Sequence, residues 1–170
     1  MRILETARLE LRRMSAADAP VILALLNDPG FLRYIGDKGV RTLADAAAYI
    51  ERGPLASYAQ HGFGLWLVAL KDGGPAIGMC GLIKREGLDD VDIGFAYLPQ
   101  FCGRGYATEA AAATLHHGRT VLGLKRIVAI TAPDNAASAN VLRKIGLRHT
   151  RTLRLPALQT DSLLFTPPEV

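Results

Sequence analysis

Apolar and polar residues alternate over residues 9–13, the period of a half-buried strand. Ser15-Ala16-Ala17-Asp18 then forms an N-cap signature ahead of an Ala/Leu-rich run to Leu26, which predicts a helix. Asn27-Asp28-Pro29-Gly30 predicts a break, and Thr42-Leu43-Ala44-Asp45 caps a second predicted helix that runs through Ile50 to about Arg52. Residues 64–70 and 75–84 are β-rich runs joined by Lys71-Asp72-Gly73-Gly74, a hairpin signal, and a third run at 91–98 follows the turn Gly87-Leu88-Asp89-Asp90. After Pro99 the pattern changes to Gly103-Arg104-Gly105 and an unbroken helix former from Tyr106 to about His117, expected to end at Gly118. Residues 126–131 predict a strand, 138–144 a short helix stopped by Gly146, and 163–165 a last strand before Pro167-Pro168. The order implies a mixed α/β (α+β) fold with an antiparallel start. With no repeat, low-complexity stretch or linker, a single domain over 1–170 is expected.

Composition narrows the classes. A chain of 170 residues with 49% hydrophobic and 21% charged residues can form one full core. The first residues lack an apolar stretch of signal-peptide length and no run approaches a membrane span, so a cytoplasmic protein without a membrane partner is expected. Cys80 and Cys102 lack the number and spacing of a disulfide framework or zinc site; free thiols and no metal are expected. The formal charge of +4 comes from scattered arginines. It suits a polyanionic ligand or an acidic partner surface rather than nucleic acid. Either a monomer or a homodimer is compatible with this pattern.

Candidate chemistry concentrates in the strand–turn–helix from Val91 to Ala110. A helix start presents unpaired N–H groups and the positive end of the dipole, and glycines let an anion approach the backbone. Two nucleotide alternatives fail: no Gly-Lys-Ser/Thr closes the turn, and Thr108 occupies the place of a third dinucleotide-binding glycine. Too little chain follows Gly105 for a dinucleotide-binding domain.

Gln100-x-x-Gly103-x-Gly105 resembles the pyrophosphate motif of the GNAT superfamily of N-acetyltransferases. Gly103-Arg104-Gly105-Tyr106-Ala107-Thr108-Glu109-Ala110, with Leu9-Glu10-Leu11-Arg12 and Asn135-x-x-Ser138, is similar to the branch containing the ribosomal-protein N-terminal alanine acetyltransferases. The resemblance spans about 6–165. It implies a mainly antiparallel central sheet with a V-shaped splay between the strands at 91–98 and 126–131, flanked by about four helices. It also implies acetyl-CoA as the acetyl donor, with its pantetheine arm in the splay. Ile93, Gly94 and Phe95 would offer backbone groups to that arm and the thioester, and Gln100 belongs to the motif. Phe101, Cys102, Gly103, Arg104, Gly105 and Tyr106 would cradle the pyrophosphate, and Asn135 would hydrogen-bond the arm.

Attack of an uncharged amine on a thioester needs an oxyanion donor, a route for the ammonium proton and a proton for the thiolate. The resemblance points to the Phe95 backbone N–H as the donor. Many relatives carry a Tyr seven residues beyond the Asn to protonate sulfur; here that position is Leu142. Ser138 becomes the candidate for that step, against the alternative that it N-caps its helix. Positions where relatives place a Glu base are Ile130 and Ala157. Asp92 lies on the cofactor strand and is read as pointing away from the cleft, Glu109 reads as a helix-surface or structural residue, and His61, His116, His117 and His149 as surface or packing residues, so no base is named. Freeing an α-amine of pKa about 8 at neutral pH costs ~1.4 kcal/mol, against ~4.6 for a lysine. Weak base machinery therefore favours an α-amine.

Acceptor recognition is expected from the first two helices and their loops, including Leu32 to Asp37, and from the hairpin around Thr152 to Asp161. Trp66 and Tyr34 are candidates for walling the acceptor side, although an aromatic in a β-rich run packs in a core more often. The leading acceptor is a protein or peptide N-terminus. The alternatives are a small amine such as an antibiotic, polyamine or amino acid, and an acyl-CoA-binding module without turnover.

Overall fold

The computed structural model describes residues 1–158 and 160–168. Eight strands form the sheet: β1 (Arg2–Glu5), β2 (Leu9–Arg12), β3 (Leu65–Leu70), β4 (Ala76–Ile83), β5 (Val91–Tyr97), β6 (Ile127–Thr131), β7 (Arg148–Leu153) and β8 (Ser162–Thr166). Their spatial order is β1-β2-β3-β4-β5-β6-β8-β7. Neighbours are antiparallel except β5 and β6, which are parallel and pair only at Val91–Ile127 and Asp92–Val128. Beyond that point they part, which is the expected splay.

The helices are α1 (Ala19–Leu26), α2 (Pro29–Tyr34), α3 (Leu43–Ile50), α4 (Ala56–His61), α5 (Tyr106–Thr120) and α6 (Ala136–Lys144). The expected break at 27–30 thus contains a helix start: Asp28 accepts from the Gly30 and Phe31 N–H groups, and Pro29 occupies the first helical position. The helix capped by Thr42 and Asp45 does not stop near Arg52. It passes through a π-type turn around Pro54 (Glu51–Leu55) into α4, which ends at Gly62 in a left-handed conformation. In the hairpin after β3, both Asp72 and Gly73 have positive φ, as a type I′ turn requires.

Helix α5 runs past Gly118 to Thr120. Gly118 is a contact point instead of a stop: a Cβ there would lie 2.7 Å from Ile127 Cδ1. The last helix starts at Ala136, two residues before the expected Ser138.

Alternation divides the sheet into two faces. On one, Trp66, Cys80, Leu82, Ile93, Ile127 and Phe165 pack with Ala110, Leu115 and Leu142 from α5 and α6. On the other, Leu67 and Met79 pack with Ile22, Leu25, Leu26, Ala46 and Ile50 from α1 and α3. Past the splay, that second face is closed by Leu88, Val128, Leu155 and Leu164. Trp66 is buried in the first core, edge-on to His117, and so walls no acceptor site.

Candidate functional site

The hydrogen-bond alternation of β5 fixes which groups face the splay. Leu98 donates its N–H to Ile77 C=O at 2.9 Å, so Ala96 and Gly94, at alternate positions, also bond to β4. Tyr97, Phe95 and Ile93 therefore turn their N–H and C=O groups away from β4, toward the side from which β6 has diverged. This is the geometry expected of the Phe95 N–H and of Ile93. Gly94 differs: its backbone groups are directed to β4, and a Cβ there would press within 3.1 Å of Ile83 Cδ1.

Past β5, a 3₁₀ turn (Pro99–Phe101) leads to α5. Phe101 and Cys102 spend their N–H groups on Leu98 and Pro99 at 3.0 and 3.2 Å. Among the described residues, no acceptor takes the N–H groups of Gly103, Gly105, Tyr106, Ala107 or Thr108. Gly103 and Gly105 have φ of 75° and 83°, and Gly105 is the N-cap of α5 without a side-chain cap. A 15-residue helix thus ends in a run of free donors with its dipole aimed outward, the arrangement that receives a diphosphate. Gln100 and Arg104 are exposed beside it, and the exposed Cys102 thiol points back to Leu98 C=O.

Across the splay, Asn135 is the N-cap of α6: its Oδ1 accepts from the Ser138 N–H at 3.2 Å. Ser138 is therefore not the cap but the third helical residue, and among the described residues its hydroxyl has no hydrogen-bond partner. Leu142, in the position where relatives carry a Tyr, is buried in the core. Ile130 packs against the cluster beyond the splay, and Ala157 is exposed.

Asp92 is a buried carboxylate on the strand that borders the splay. It shares its sheet face with Ile83 and Gly94, opposite α5, at the point where β5 and β6 separate. Its carboxylate is fully buried and bonded to Nε and Nη2 of Arg85, each at 3.3 Å. Burial pushes the Asp92 carboxyl up, and the Arg85 charge partly offsets this. Burial raises the Tyr49 hydroxyl, which the Arg85 charge partly offsets, and lowers the Lys38 ammonium, which the Arg85 charge lowers further. From α2, Arg33 stacks on Tyr34 and bonds to Asp134 at 3.3 Å, beside Asn135. In the expected acceptor hairpin, Gln159 lies outside the described residues. No group of three or more His, Cys, Asp or Glu able to hold a metal occurs among the described residues, and no helix there is long and apolar enough to cross a membrane.

Residues 8–148 match the family described as an acetyltransferase (GNAT) domain. The uncharacterized N-acetyltransferase YnaD of Bacillus subtilis (strain 168) is 32% identical over 143 residues, covering 84% of this chain and 81% of its own. Among solved structures, an acetyltransferase from Agrobacterium tumefaciens str. C58 aligns at TM-score 0.82 and 26% identity, over 98% of this chain and 94% of that one. The fold is also that of RimL, a ribosomal L7/L12 α-N-protein acetyltransferase solved with coenzyme A: TM-score 0.74, 16% identity, 98% and 97% covered.

Proposed function

This chain belongs to the GNAT acetyltransferase family, whose reaction is acetyl transfer from acetyl-CoA, and on that premise we propose that its acceptor is a protein or peptide N-terminal α-amine. The observation that carries the reading is the parting of β5 from β6 directly beside the free α5 N-terminus. The gap suits an extended pantetheine arm, and the helix start suits its diphosphate. In this reading Gly103 to Tyr106 bind the diphosphate through backbone N–H groups, and the amide of Asn135 donates to the arm. The Phe95 N–H donates to the thioester oxygen as negative charge grows on it. Ser138 Oγ–H hydrogen-bonds the sulfur as the C–S bond breaks and relays a proton from solvent to the departing thiolate, while the acceptor nitrogen forms the new C–N bond and loses its proton to solvent.

One feature supports an α-amine: the buried Asp92 carboxylate is tied to Arg85 and so is not free to deprotonate a lysine. A small amine is the second reading, because RimL supports only the fold. Thiol release from acetyl-CoA, compared over N-terminal Ala and Ser peptides, polyamines and aminoglycosides, separates them. Turnover confined to peptides is expected, and turnover only with small amines would refute the proposal.

A further inference from the structure

We propose that Arg8, in the turn between β1 and β2, is a positioning residue that holds the 103–106 loop in its anion-receiving shape. The inference rests on the acetyl-CoA site described above. Arg8 lies far from that loop in sequence, yet two contacts join it to the loop and two more to Glu109 in the first turn of α5. Its Nε donates to Glu109 Oε1 at 2.7 Å, its backbone N–H donates to Glu109 Oε2 at 2.9 Å, and its Nη1 donates to Arg104 C=O at 3.0 Å. The guanidinium carbon stands 4.4 Å from the centre of the Tyr106 ring. Its Nη2 sits where a Gly105 side chain would begin, 3.3 Å from an ideal Cβ.

The anchor behind these contacts is rigid. Arg8 C=O accepts from Lys71 N–H at 3.0 Å, just past the end of β3, and Thr6 bonds to Leu9 through both its N–H and its hydroxyl. The Thr6 hydroxyl also donates to Glu109, whose own N–H closes the first turn of α5 on Gly105 C=O at 3.1 Å. A loop with two left-handed glycines and few internal bonds is otherwise free to sample many conformations, and ordering it would count against ligand affinity. Arg8 satisfies the Arg104 carbonyl, packs the Tyr106 ring and fixes the helix start, so the free N–H groups converge before the ligand arrives. It does this from the sheet side, as a support for the backbone donors.

The test compares acetyl-CoA with S-acetylpantetheine, which carries the same thioester without the diphosphate. Arg8→Met keeps an apolar stem over Tyr106 but removes every side-chain donor. It is expected to raise KM for acetyl-CoA about tenfold with kcat preserved, the scale of one lost hydrogen bond to a charged group. KM for S-acetylpantetheine is expected to be unchanged, and Arg8→Lys to fall between. Equal loss with both donors would reduce Arg8 to a structural residue, and no change with either would remove it from the site; each overturns the inference. Failure of the unaltered protein to bind acetyl-CoA would overturn the cofactor reading and this inference together.

Discussion

Ser138 and Asn135 are joined by a single bond that leaves their reactive ends free: the Ser138 N–H donates to Asn135 Oδ1, while the serine hydroxyl and the asparagine NH₂ have no protein partner among the described residues. The helix cap thus holds two donors at the edge of the splay. Ser138→Ala is expected to lower kcat about 10- to 100-fold with little change in KM for acetyl-CoA, the range of a lost proton donor. Asn135→Ala removes the cap as well, so it is expected to cost about 1 kcal/mol of stability and to raise KM for acetyl-CoA. Steady-state kinetics beside thermal unfolding separate the two roles.

Gly105 adopts a left-handed conformation at the start of α5, where an alanine meets about 1–2 kcal/mol of backbone strain and crowds Arg8. Gly105→Ala is expected to raise KM for acetyl-CoA several-fold with kcat preserved. A lowered kcat at unchanged KM would place the loop's role in the chemical step instead.

Arg85 is the ion-pair partner of a carboxylate with no solvent exposure. Arg85→Ala is expected to destabilise the fold by about 3–5 kcal/mol at neutral pH. The loss should shrink on acidification, because Asp92, already pushed up by burial, then takes a proton and needs no cation. Urea unfolding at neutral and acidic pH measures this, and Arg85→Ala combined with Asp92→Asn should recover much of the loss.

Glu109 behaves in the opposite sense. Partial burial alone would raise its carboxyl, but the hydrogen bonds from Thr6 and Arg8 together outweigh it and hold the group below the usual range. Its contribution is therefore complete above the unfolded-state pKa of about 4.3 and is lost as pH falls through the folded value. Unfolding free energy should drop with acid less steeply in Glu109→Gln than in the unaltered chain.

Elements with a clear period were legible from the sequence, as was the site wherever it is contiguous. The stretch from Val91 to Ala110 places strand, turn and helix start in one run. Strand β7 escaped because its residues are exposed on both faces and show no alternation. Helix α2 escaped because Asp28-Pro29-Gly30 reads as a break as readily as a cap, and α4 because Gly53-Pro54 resembles a stop. Arg8 and Arg85 escaped for another reason. Arg8 acquires meaning only from Glu109 and Arg104, brought to it by the sheet and α5, and Arg85 only from Asp92 across the β4–β5 turn. The surroundings of Asp92 were least legible because the groups that act on it and on Arg85 come from separate loops and from α3.

The most direct test uses one peptide carrying a free N-terminal alanine and one internal lysine, incubated with acetyl-CoA and the protein, with the acetylated position located by fragment mass spectrometry. A single acetyl group on the α-amine, dependent on the protein and reduced by Ser138→Ala, is the predicted result. Acetyl on the lysine side chain, or none on the peptide while a small amine is acetylated, would contradict it.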